Sequence, residues 1–344
     1  MNDTSNVSST AKLAPTMKLL TLNHGSYPRI GNSPEEQLLR RTIALRDRGE
    51  KSDAEVRVAE DHMVVLALQE QEDAGIDIIT DGLVRWNDPI SHLAGKLRGI
   101  RIDGLLRFFD TNFYFRQPVI EEKIARSRPL VVDEFRWAVE RSHRPVKPVL
   151  TGPYTLTRLS LRQAGAGDIE SVVMSFAEAL GAEVAELGAA GARMIQIDEP
   201  ALLSCPADRR LACAALKFVA AQKGRAELAL ALYFADAAPL YATLQDLAFD
   251  ILILDFTYSS KLAQVIESEG GIKQLGLGLL DGRNTRLEDQ TAVLHQLEAM
   301  LRQVKPGHAY LTTSCGLEYL PRDRARLKLR HLTSIKRAFL GEVG

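Results

Sequence analysis

The residues best equipped for chemistry in this chain stand at the ends of short apolar runs. In Arg193-Met-Ile-Gln-Ile-Asp-Glu-Pro-Ala-Leu-Leu203 an apolar run closes on two carboxylates and a proline. A buried parallel strand over 194–197 would leave Asp198 and Glu199 just past its C-terminal end, the edge where barrels and doubly wound sheets bind ligands. The competing reading is a helix start, with Asp198 as the cap of whatever follows Pro200. The same rule selects His24, Gly25 and Ser26 after 17–23, Asp81 after 76–80, Thr151 after 147–150, Tyr233 after 228–232, Asp255 after 251–254, Asp281 after 275–279, and Ser314 with Cys315 after 309–312. Carboxylates gathered in a partly closed mouth raise one another's pKa and suit the holding of an amino group, a metal or a proton in transit. Asp198, Asp255 and Asp281 are therefore the expected catalytic carboxylates. Cys315 reads either as a metal ligand or nucleophile, or as a small buried residue of the Thr-Ser-Cys-Gly turn.

Helices must alternate with these runs to bring their ends together. Helical spacing marks 34–48 and 53–73, the second with Ser52 or Asp53 as cap and Gly75 as stop. It also marks 129–142, an alanine-rich stretch over 168–190 with Asp168 as cap, and segments near 208–222, 238–247, 260–268, 287–303 and 322–339. Short apolar strands alternating with helices through one chain predict a (β/α)8 barrel, with a doubly wound sheet as runner-up. No GxGxxG follows the first strand, which weakens a dinucleotide-binding reading. The glycines of Gly276-Leu-Gly278 read as room for bulky neighbours in a barrel strand. Residues 83–120 are irregular and rich in Arg and aromatics, and predict an insertion after the second strand with a hairpin near 100–115.

Composition narrows the partners. Across 344 residues, 43 Lys plus Arg nearly balance 44 Asp plus Glu, so charge gives no case for nucleic acid or an anionic membrane. No run approaches the roughly 18 apolar residues of a membrane span. The cysteines Cys205, Cys213 and Cys315 show no CxxC spacing, which points to a reducing, cytoplasmic setting. Residues 1–16 are small and polar and predict a disordered tail; 17–344 predict a single barrel domain.

Six segments in order carry a family resemblance: His24-Gly-Ser-Tyr-Pro-Arg-Ile-Gly31, Phe108-Phe-Asp-Thr-Asn112, Gly152-Pro-Tyr-Thr155, Gln196-Ile-Asp-Glu-Pro-Ala201, Leu279-Leu-Asp-Gly-Arg-Asn284 and Thr313-Ser-Cys315. From about 19 to 340 the chain resembles the cobalamin-independent methionine synthases, at the length of one of their two barrels. The resemblance implies a methyltransferase of one-carbon metabolism and methionine biosynthesis, with methyl-folate as donor and a small amino-acid thiol such as homocysteine as acceptor. In the family's catalytic barrel a His-x-Cys after the fifth strand, a Glu after the sixth and a Cys after the eighth hold zinc. Here Tyr233-Phe-Ala235 replaces the His-x-Cys, Asp255 stands at the Glu position, and Cys315 alone matches as a ligand, so zinc is not expected. The motifs are most similar to the N-terminal, folate-binding barrel, although Pro34-Glu-Glu-Gln37 replaces its glutamate-tail loop.

The implied binding set is Gly25 and Ser26 for a carboxylate and Asp198 for an ammonium, with Asp81, Asp110, Asn112, Glu199, Tyr233 and Ser314 around them. Arg29 and Arg85, with Arg107 and Arg116, would meet anionic groups of the donor. Two further functions fit the same residues. One is a non-catalytic donor-binding subunit for a separate zinc-bearing barrel; the other is a barrel recruited to acid–base chemistry on a small carboxylic acid.

Overall fold

The apolar runs form a parallel sheet in the computed structural model, which describes residues 17–305 and 307–342; the tail expected over 1–16 lies outside the described residues. The chain opens with β1 (Lys18–Thr21), α1 (Leu38–Asp47), α2 (Asp53–Asp73) and α3 (Ser91–Ala94), then a hairpin of β2 (Arg98–Arg107) and β3 (Tyr114–Ala125). α4 (Val132–Val139), β4 (Val149–Thr151), α5 (Pro153–Arg158), β5 (Leu161–Arg162), α6 (Ile169–Ala189), β6 (Met194–Asp198) and α7 (Arg209–Ala220) follow. The last part alternates throughout: β7 (Glu227–Leu232), α8 (Tyr241–Gln245), β8 (Ile251–Asp255), α9 (Leu262–Glu269), β9 (Gln274–Leu280), α10 (Gln290–Leu301), β10 (His308–Thr313) and α11 (Arg322–Phe339).

Seven strands pair in parallel in the order β1-β10-β9-β8-β7-β6-β4. The expected second strand closes the ring as a bridge rather than a regular strand. On one side Ile78 N donates to Thr21 O at 3.1 Å and Asn23 N to Ile78 O at 3.0 Å; on the other, Ile79 N donates to Pro145 O and Lys147 N to Ile79 O. Asp77 explains the irregularity, because its carboxylate accepts the Thr21 N–H at 2.7 Å, leaving side chain in place of ladder. The barrel is therefore of the expected (β/α)8 kind, with its eighth stave short.

Alternation along the strands divides the core in two. Leu22, Met194, Ala229, Ala231, Ile251, Ile253 and Tyr310 pack together on one face of the sheet, while Leu228, Leu230, Leu252, Leu254, Leu275 and Leu277 pack in the larger core with the buried faces of the helices. Gly276 fits the expected role: a Cβ there would lie 2.7 Å from Ile253 Cγ1. Helix starts follow the sequence signals. Ser52 and Glu55 form a reciprocal capping box on α2, and Asp168 accepts from Ser171 N at 2.8 Å on α6.

The insertion is larger than the expected 100–115, since its antiparallel strands run to Ala125 and β5 adds a parallel edge to β3. Its turn, Phe108–Phe113, reaches back to the barrel. Arg283 Nη1 meets Asp110 Oδ1 at 2.8 Å, and the Tyr258 hydroxyl donates to Asp110 Oδ2. This ties the hairpin tip to the loops after β8 and β9.

Candidate active site

A cavity of about 410 Å³ opens at the C-terminal ends of β1, β6, β7 and β10, walled by the Gly82–Pro89 turn and the hairpin tip. Its polar lining includes His24, Ser26, Arg29, Asn87, Asp198, Tyr233, Cys315 and Glu318, and its apolar lining includes Leu83, Trp86, Phe108, Phe113 and Tyr319.

Asp198 stands at the end of β6 with both oxygens engaged. Gln196 Nε2 donates to Oδ1 at 2.6 Å, and the Tyr233 hydroxyl donates to Oδ2 at 3.1 Å. Gln196 also donates to the His24 carbonyl, and Lys147 Nζ reaches that carbonyl at 2.9 Å and Gln196 Oε1 besides. A buried relay thus runs from Lys147 through Gln196 to Asp198. Burial pushes the Asp198 carboxyl up and the Lys147 ammonium down, and their mutual attraction opposes both shifts. His24 is buried edge-on to Tyr233 with Nε2 unpartnered among the described residues, and burial lowers its pKa to about 3, leaving a neutral ring.

The loop after β1 is held from behind. The Tyr27 hydroxyl donates to Glu70 Oε2 at 2.8 Å, Arg322 Nη1 to the Pro28 carbonyl at 2.7 Å, and Leu317 N to the Ser26 carbonyl. Arg29 faces the cavity with Nε and Nη2 unpartnered among the described residues and Nη1 3.3 Å from Asn87 Oδ1. A largely buried guanidinium with open donors is a receptor for a carboxylate or another anion. Glu318 lies on the opposite loop with Oε2 buried and without a hydrogen-bond partner among the described residues. Burial raises its carboxyl to about 7.

Gly25, Ser26, Arg29, Asp198, Tyr233 and Cys315 from the sequence expectation come together in this cavity. Other members of that set are occupied elsewhere. Asp255 accepts from Phe234 N, Thr257 N and Thr257 Oγ1, and Asp81 accepts from Leu83 N. Each holds a loop whose residue, Phe234 or Leu83, has positive φ (68° and 50°), so each carboxylate stabilises strained backbone. Glu199 accepts from Tyr154 N, Thr155 N and Thr155 Oγ1 at the start of α5.

Asp281 turns onto Arg283 N, Ser314 Oγ accepts from Gly282 N, and Asp110 and the exposed Asn112 belong to the hairpin tip. Arg85 is bound to Asp61 at 2.6 Å and lies over Trp137, and Arg107 hydrogen-bonds the Thr111 carbonyl. Above β8 and β9, Phe234 packs among Phe108, Phe109, Tyr258 and Tyr319 with Arg283 over its ring. Asp255 and Asp281, each turned onto nearby backbone, are not part of the cavity lining.

Sequence reading missed Glu318, Lys147, Gln196 and the walls Trp86, Phe108 and Phe113. Two signals were available: a lysine at the start of an apolar strand, and a glutamate between Leu317 and Leu320. Cys315 Sγ is buried, 3.5 Å from the Gly316 carbonyl and 3.9 Å from Ser314 Oγ, and burial pushes its thiol pKa well up. Among the described residues no three His, Cys, Asp or Glu side chains converge as a ligand set. A zinc needs three or four protein ligands, so the side chains present do not fit it.

Residues 19–337 match the family described as the catalytic domain of cobalamin-independent synthase. The chain is 30% identical over 303 residues to the methionine synthase of Saccharolobus solfataricus, covering 87% of this chain and 90% of that one. A Saccharolobus islandicus methionine synthase is 31% identical with the same coverage, and the Pyrococcus furiosus one is 29% identical over 316 residues, covering 91% and 92%. Among solved structures, a B12-independent methionine synthase from a Shewanella species, in complex with selenomethionine, shares the fold with TM-score 0.75 at 21% identity, covering 96% and 98%.

Proposed function

The chain belongs to the cobalamin-independent methionine synthase family, a family of methyltransferases, and we propose that it moves a methyl group from a methyl-folate-type donor to the thiol of a small amino acid such as homocysteine. The observation that carries this reading is Asp198, braced by Gln196 and Tyr233 and facing the same cavity as the Gly25–Ser26 loop. A carboxylate opposite a loop that brings a hydroxyl to the same cavity is suited to the ammonium and carboxylate of an α-amino acid. The selenomethionine bound by the Shewanella relative supports an amino acid of that size. Of the four arginines expected to meet the donor, Arg29 lines the cavity with open donors and is assigned to the donor's anionic part. The setting is a reducing cytoplasm, and no helix among the described residues is long and apolar enough to cross a membrane.

No step is routed through zinc, because the donor set does not fit it. The purified chain is expected to form methionine from homocysteine and methyl-folate, with a rate that survives a zinc chelator. Arg29→Leu is expected to raise the donor KM about tenfold or more while leaving methionine binding within about threefold, as loss of a charged hydrogen bond would do. Failure to form methionine from any methyl donor would overturn the reading. Transfer that appears only on adding a zinc-bearing synthase barrel would assign the chain instead to donor binding for a partner.

A further inference from the structure

We propose that Glu318 takes the proton of the acceptor thiol and returns it to the donor, the task left open by the unfit zinc ligand set. The inference rests on the reading of the site as a methyl-transfer cavity. Three geometric facts support it. Glu318 Oε2 is buried, lines the cavity and has no hydrogen-bond partner among the described residues. Gly316 lets it come close to the substrate-binding loop: a Cβ at Gly316 would lie 2.0 Å from Ser26 Oγ and 2.7 Å from Glu318 Oε2. The other two carboxylates of the lining are engaged: Asp88 accepts from Ile90 N, Ser91 N and Arg116 N, and Asp198 has both oxygens occupied and is assigned to the ammonium, so the open carboxylate oxygen of Glu318 remains for a different proton.

The step balances without a metal. The S–H bond of the acceptor breaks and its proton moves to Glu318 Oε2. The sulfur pair forms the new C–S bond as the methyl carbon leaves the N-methyl nitrogen of the pterin donor, whose pair stays on that nitrogen. Glu318 then gives the proton to the nitrogen, and the products are a methyl thioether and an N–H pterin. A group that is base and then acid works best with a pKa near the working pH, and the burial of Glu318 places it there. The ionisable side chains sharing its cavity are His24, Tyr27, Asp88, Asp198, Tyr233, Cys315 and Tyr319 together with Arg29, and the neutral His24 ring carries no charge to compete.

The test compares the wild-type chain with Glu318→Gln and Glu318→Asp in methionine formation across pH, with methionine binding measured by calorimetry. Wild-type kcat is expected to fall as pH drops below about 7, where the carboxylate becomes protonated. Glu318→Gln should lose about 100-fold or more in kcat, the usual size of a lost general base, with methionine affinity within about threefold. Glu318→Asp should recover part of the rate with a displaced acid limb. A Gln variant that keeps the wild-type rate, or one that loses rate and methionine affinity together with the acid limb unmoved in the Asp variant, overturns the inference while methyl transfer stands. A wild-type chain that binds homocysteine and transfers no methyl group overturns both.

Discussion

Asp198 and Glu199 are neighbours in sequence with opposite duties. Asp198 presents a carboxylate to the cavity; Glu199 turns inward, fully buried, and closes the start of α5 through two backbone N–H groups and the Thr155 hydroxyl. Strand alternation is the reason, because consecutive side chains leave a strand end on opposite sides. Asp198→Asn should weaken methionine binding about 10–100-fold, corresponding to the roughly 1.5–3 kcal/mol of a hydrogen bond to a charged group, read by calorimetry. The unmodified chain should bind methionine less tightly at acid pH, because only the ionised Asp198 attracts the ammonium and burial makes that carboxyl protonate sooner than an exposed one. Unchanged affinity in Asp198→Asn would remove Asp198 from the binding set.

At the scale of elements, the mouth is braced by carboxylates that grip backbone. Asp255 holds Phe234 in its left-handed conformation, Asp81 holds Leu83, and Glu199 holds the first turn of α5. Gly152 is the matching requirement, since a Cβ there would lie 2.3 Å from Glu199 Oε2. Glu199→Ala leaves two buried N–H groups without a partner and should cost about 2–4 kcal/mol of folding stability in urea denaturation. Gly152→Ala should cost about 1–3 kcal/mol by forcing that carboxylate out of place. A stability loss below about 0.5 kcal/mol in both would show that α5 does not depend on this contact. The hairpin works similarly: Asp110, Arg283 and Tyr258 pin its tip, and the pinned tip delivers Phe108 and Phe113 to the cavity wall.

For the molecule as a whole, the eighth stave of the ring is short, and it ends in Asp81. Burial, and then repulsion from Glu134, raise the Asp81 carboxyl from 3.8 to about 6. A carboxyl with a higher pKa folded than unfolded favours the folded state while protonated. That advantage is lost as pH rises from about 4 through 6, and the full charge-burial cost applies above. Asp81→Asn keeps an oxygen for Leu83 N and removes the titration. The variant should therefore gain stability relative to wild type between about pH 4 and 8, by up to about 3 kcal/mol from the size of that shift, read as diverging urea midpoints. Parallel midpoints across that range would show that Asp81 carries no such cost.

Much of this protein is determined locally. Period and punctuation alone mark the strand ends, the caps Ser52 and Asp168, and the alternation that becomes a barrel, because capping bonds and buried strands depend on neighbours within a few residues. The placement of Asp198, Ser26 and Arg29 on one edge follows from that alternation. Which strand ends face one another across the mouth was not legible, since it depends on what fills the space between them. Around Phe234 an aromatic cluster gathers from the hairpin, β7, β8 and β10 loops, Asp255 and Asp281 turn onto nearby backbone, and Glu318 and Lys147 acquire their environments from segments far away in sequence. Sequence supplied carboxylates at the strand ends; only tertiary packing decided which of them meet the cavity and which hold up its walls, because burial and hydrogen-bond partners are properties of the whole fold.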